Sequence, residues 1–208
     1  MRKLPRIAAG LALAAIAVPV AAGGGQVFRA NLEPLNAGTY TQAGTTYTIP
    51  TTTGTATVTL NGDDVAVHIE VSGVTAGTLH PQHIHAGTTC PDQSDDANTD
   101  GYVDVIEGLP KYGGILVSLD NNIDDGAAAP GLNFPVADPS GSYSYSEEGS
   151  RAHIQDEIET ALKVGTRHVV IHGISPDGMP LPASVASLPG LPAWATLPVA
   201  CGELDLHR

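Results

Sequence analysis

The chain has 208 residues with 9 Lys and Arg against 22 Asp and Glu, a formal charge of −13. So acidic a surface repels phosphate backbones and anionic headgroups, which argues against nucleic acid and membrane surfaces as partners. Its 24 glycines and 16 prolines favour short strands joined by turns.

The first 22 residues, MRKLPRIAAGLALAAIAVPVAA, place Arg2, Lys3 and Arg6 ahead of an apolar run from Ile7 to Val20 and small residues at Ala21 and Ala22. This pattern predicts a secretory signal peptide, removed after Ala22, and hence a periplasmic, cell-surface or extracellular protein. The run is short for a membrane span, Gly10 and Pro19 interrupt it, and no other long apolar stretch follows, so no membrane insertion is expected once it is removed. Residues 23–208 then form one domain, large enough to bury a core. Strands are predicted at Val27–Leu35, Thr55–Leu60, Val65–Val71, Leu79–Ala86, Ile115–Leu119, Ser142–Ser146, Arg167–His172 and Gly202–His207. In Val65–Val71 the alternation sets Val65, Val67, Ile69 and Val71 against Ala66, His68 and Glu70, and the NGDD turn at Asn61 signals a hairpin. About eight strands in one domain indicate a sandwich or barrel. One amphipathic surface helix is predicted over Ser150–Val164, and Ser175–Pro198, rich in Pro and Leu, reads as a long covering loop.

Two clusters carry chemistry. In HPQHIHAGTTC, residues 80–90, His83 and His85 lie two apart on a strand, so their imidazoles share a face, while His80 faces the other way. A shared metal ion needs a third ligand, and RHVVIHG, residues 167–173, offers His172 with His168 on the same face. An imidazole site suits copper or zinc, and the alternative is a set of polar strand positions with no ion. The second cluster, DANTDGYVDVIE, fills the twelve-residue calcium loop: Asp96, Asn98, Asp100, the Tyr102 carbonyl, Asp104 and Glu107 as ligands, with Gly101 at the turn. CPDQSD before it shows no helical period, so a structural calcium ion in a loop insert spanning 95–107 is expected rather than a sensor, the alternative being a solvated acidic turn. Cys90 and Cys201 are the chain's two cysteines; after export they either pair or remain two thiols.

Taken in order, LHPQHIHAG followed by Cys90, then VVIHG, then ACGELDL resembles the copper/zinc superoxide dismutases, and also the related chordin-type (CHRD) domains. The resemblance implies an all-β fold, a Greek-key β-sandwich or barrel. It implies copper on His83, His85 and His172, a structural role for His80, and a Cys90–Cys201 disulfide. The sequence departs from that family in two places. Residues 91–100, PDQSDDANTD, contain no histidine where the family keeps its bridging and zinc ligands, so zinc is not expected, and His153, His168 or a water would complete the copper sphere. Pro198 stands where the family carries an arginine that guides superoxide. The leading expectation is an exported protein that holds copper and calcium. A copper-dependent dismutase of low activity, with superoxide as substrate, and a CHRD-like interaction domain without transition metal are the alternatives.

Overall fold

A computed structural model of the chain describes residues 25–87, 89–125, 133–154, 167–175 and 181–207, with the backbone alone at 153 and 154. The expected signal segment, and the expected helix beyond residue 154, lie outside them. Alternating small apolar and polar residues build the first half: β1 (Gln26–Pro34), β2 (Gly38–Gln42), β3 (Thr45–Ile49), β4 (Thr53–Asn61) and β5 (Asp64–Ser72). The second half adds β6 (Gln82–His85), α1 (Val105–Tyr112), β7 (Ile115–Ser118), β8 (Ser142–Ser150), α2 (Arg151–Ile154), β9 (His168–His172), α3 (Ala193–Thr196), β10 (Pro198–Glu203) and β11 (Asp205–His207).

The main sheet runs β7-β6-β9-β10-β1-β4-β5-β8, with β11 pairing on β1; every pairing is antiparallel. The hairpin β4–β5 turns through Gly62 and Asp63, with Gly62 at φ 60°, the left-handed backbone that glycine adopts without strain. The connections from β5 to β6 and from β8 to β9 cross over other strands, the Greek-key pattern. The sheet curls so that its edges approach: the 3-10 turn Ile123–Asp125 packs on both β7 and β8. Tyr145 Oη donates to Asp120 O at 2.8 Å and Ser150 N to Asp124 Oδ1 at 2.7 Å. Inside lie Phe28, Val58, Ile69, Ile84, Val169 and Ile171, all fully buried, each contributing about 1.5–3 kcal/mol by leaving water. The expected all-β Greek-key architecture is therefore present.

Several elements differ from expectation. The β2–β3 hairpin, α1 and α3 were not predicted. The strand expected over Leu79–Ala86 shrinks to Gln82–His85, because Pro81 supplies no N–H to the ladder; Leu79 instead makes an isolated bridge to Val136. The last strand begins at Pro198 and divides at Leu204, which is buried and donates its N–H to Arg167 O at 2.8 Å. Of the predicted helix, the described part is α2.

Candidate metal centre

On β6 the alternation sends Gln82 and Ile84 into the barrel and His83 and His85 to its outer face. β9, paired to it with His83 opposite Val170 and His85 opposite His168, presents His168, Val170 and His172 on that same face. This face is largely covered. The 181–197 segment and α1 cover it, and His83, His85 and His172 are all buried.

The three rings meet edge to face or tilted, with centroids 5.5 Å (His83–His85), 5.4 Å (His83–His172) and 5.8 Å (His85–His172) apart. One nitrogen from each lies within 4.8 Å of the others. Two tautomers are fixed by backbone carbonyls. His85 Nδ1 donates to Gly113 O at 2.8 Å and His172 Nδ1 to Thr196 O at 2.8 Å, which leaves both Nε2 lone pairs free; holding one ring nitrogen on a carbonyl is the usual arrangement of a metal-ligating histidine. His85 Nε2, His172 Nε2 and His83 Nδ1 are buried without a hydrogen-bond partner. Buried polar atoms are ordinarily satisfied, and three unpartnered nitrogens on rings this close could together hold one ion. A borderline cation such as copper fits three neutral imidazoles, which carry no carboxylate for a hard one.

The Gly113 carbonyl reaches His85 because the end of α1 lies directly against the end of β6. Gly87 N donates to Tyr112 O at 2.5 Å, and a side chain at Gly87 would collide with the backbone of Lys111 and Tyr112. Sequence reasoning missed this support, along with Thr196 and two aromatic walls, Tyr112 at 4.8 Å from His85 and Phe134 at 5.3 Å from His83.

Burial is the main force on the imidazoles. It holds His85 down at about 3, with the neighbouring His172 adding to it and the Gly113 hydrogen bond opposing it, and His172 at about 4 against the Thr196 hydrogen bond. His83 is pushed well below the ordinary value by burial and by His172 and His85. In the unfolded chain these groups take protons near pH 6.5. The metal-free protein therefore keeps its full stability above pH 6.5 and loses it as pH falls towards 4 and then 3. At about 1.4 kcal/mol per unit, one histidine held two units or more below that value costs about 3 kcal/mol. Urea unfolding at pH 7.5 and 4.5 checks this. The loss shrinks in a His85→Gln/His172→Gln variant, which leaves the carboxylates untouched.

The other expected site residues fall elsewhere. His168, on the right face, is not in the converging set; its Nε2 lies 3.5 Å from Glu203 Oε1. The side chain of His153 is outside the described residues. His80 is fully buried with Nδ1 3.1 Å from His172 O and Nε2 3.1 Å from Thr75 O, bracing the backbone of the third imidazole. Cys90 and Cys201 are joined in a disulfide with Cα atoms 5.8 Å apart.

Among the described residues the three imidazoles are the one group of His, Cys, Asp or Glu whose ligand atoms come together. The carboxylates of the 96–107 loop are turned to its own backbone. Asp96 accepts from Asp100 N and Gly101 N, and Asn98 Oδ1 from Asp100 N. Glu107 accepts from the N–H groups of Ala97, Asn98 and Asp104. Asp104 caps α1 through Ile106 N and Glu107 N, and its other oxygen takes Ala186 N at 2.6 Å. Asp100 Oδ1 accepts from Tyr102 N while its Oδ2 is buried and unpartnered. No helix precedes the loop, only the 3-10 turn Gln93–Asp95, but α1 follows it directly.

No family model matches the chain, and no curated protein matches it. Among solved structures it is similar to superoxide dismutase 5 of Candida albicans in its Cu(II) form, at 15% identity and a TM-score of 0.42, over 88% of this chain and 93% of that one.

Proposed function

We propose that this chain is an exported copper-binding β-barrel protein. His83 Nδ1, His85 Nε2 and His172 Nε2 hold the ion, and a calcium ion orders the 96–107 loop. The observation that carries the copper reading is the convergence of three buried imidazole nitrogens that no hydrogen-bond partner among the described residues satisfies. Bound there, copper would supply one-electron chemistry between Cu(II) and Cu(I). The protein's own part is to fix the tautomers through Gly113 and Thr196, exclude bulk water, and keep all three rings neutral. Export agrees with the Cys90–Cys201 disulfide, since paired cysteines persist in oxidising compartments.

Storage or delivery of copper fits better than fast dismutation. No Lys or Arg among the described residues lines the cavity above the imidazoles, so an anion arriving at an acidic protein meets no attracting charge. Copper-soaked, desalted protein should carry one copper per chain by elemental analysis and show superoxide turnover no faster than the same amount of free copper. Absence of stoichiometric copper would remove the reading; turnover well above free copper that disappears in His83→Ala would establish the dismutase instead.

For calcium, the support is the complete spacing of ligand types, the unpartnered Asp100 Oδ2, and the start of α1 immediately after Asp104. Affinity of about 10⁻⁴ to 10⁻³ M is expected of an extracellular module. At 10 mM calcium such an ion stabilises the folded chain by about 1–3 kcal/mol, read as a melting temperature several degrees higher. Asp96→Ala should abolish that rise, and a melting curve indifferent to calcium would dismiss the ion.

A further inference from the structure

Above the three imidazoles opens a cavity of about 400 Å³, within the size range of small-molecule sites. Its walls are apolar: Leu109 from α1, Ile115 from β7, Phe134, Leu188 and Leu191 from the covering segments, with Tyr112 at the floor. Leu109, Ile115 and Leu191 also remain more than a third exposed, so the rim facing water is as apolar as the interior. The polar side chains among the described lining residues are the three imidazoles, Ser118, Thr196 and Tyr112, whose Oη donates to Val105 O at 3.2 Å, and no charged side chain among the described residues lines the cavity.

Resting on the copper reading, we propose that this cavity binds a neutral, largely apolar small molecule carrying one lone-pair donor atom, a ring compound with a single nitrogen or oxygen head. The head lies at the base of the cavity beside His83, His85 and His172, where it would reach a copper ion that they held, and the body lies against Leu109, Ile115, Phe134 and Leu191. An anion is disfavoured twice, by the absence of a cation among the described wall residues and by the cost of removing its charge from water. A ligand without an apolar body gains nothing from the walls, whereas burying one phenyl ring against them is sufficient for about tenfold tighter binding or more.

The test has two arms. In the first, the metal-free protein is titrated with the uncharged fluorescent probe N-phenyl-1-naphthylamine. One saturable site per chain is expected, weakened at least about fivefold in Leu109→Gln/Leu191→Gln, whose side chains are partly exposed already and whose folding is checked by circular dichroism. In the second, copper-loaded protein is titrated with 4-phenylimidazole, imidazole and azide, followed by the Cu(II) electron paramagnetic resonance spectrum. 4-Phenylimidazole should bind at least about tenfold more tightly than imidazole, the preference should fall in the double variant, and azide should bind most weakly. If copper does not load but the naphthylamine site is present and sensitive to the variant, the copper reading fails while the apolar ligand class stands. If copper loads but azide or imidazole matches 4-phenylimidazole, or if the naphthylamine finds no site, the proposal is overturned and the copper reading is untouched.

Discussion

Replacing His172 with alanine should lower copper affinity by at least about 100-fold while His168→Gln leaves it within about threefold. The two residues lie on the same strand and the same face, so composition and exposure do not separate them; convergence does. His172 is held by Thr196 O with its Nε2 facing His83 and His85, while the ring of His168 lies towards Glu203. Loss of residues that merely orient metal ligands costs about 10–100-fold in affinity, so removal of a ligand itself falls at or beyond the upper end. Competition against a chromophoric Cu(I) chelator reads both variants. Because His172 is buried, His172→Gln serves as a second variant that keeps more of the volume. Equal losses at 168 and 172 would mean that the strand, and not the triad, governs binding.

Removing the disulfide is expected to have the second large effect. Cys90 and Cys201 are separated by 111 residues, and opening so long a loop in the unfolded chain costs about 2–4 kcal/mol of stability, with about 4.7 kcal/mol as the loop-entropy ceiling. The bond has a local role as well. Cys201 pairs in register with Val170 and packs with Tyr112, on the same face of the sheet that carries the imidazoles. Cys90→Ser/Cys201→Ser should therefore unfold at lower urea and also bind copper more weakly than the oxidised protein. A stability change below about 1 kcal/mol would show that the unfolded chain is constrained by other means.

The strands that form the barrel were legible wherever side chains alternate cleanly. Val65, Val67, Ile69 and Val71 announce β5, and the Asn61–Gly62 turn announces its hairpin. The β2–β3 hairpin was missed because its faces are Thr and Tyr rather than aliphatic, and because its turn is Ala43–Gly44, without the Asn or Asp that usually marks one. α1 was hidden inside an acidic motif read for its ligands; Asp104 both belongs to that motif and caps the helix. The imidazoles on β6 followed from spacing alone. His172, 87 residues beyond His85, stood with His168 as a candidate third ligand on its strand, and only the resemblance in motif order preferred His172. Nor did any local pattern identify Gly113 and Thr196 as holders of the rings, since they act through backbone carbonyls that every residue possesses.

The most direct test is an X-ray absorption spectrum of the copper-loaded, reduced protein beside its His172→Ala variant. Three imidazole nitrogens around one copper, falling to two in the variant, is the predicted result. A sphere dominated by oxygen, or one with the same number of imidazoles in both proteins, would contradict the three-histidine centre.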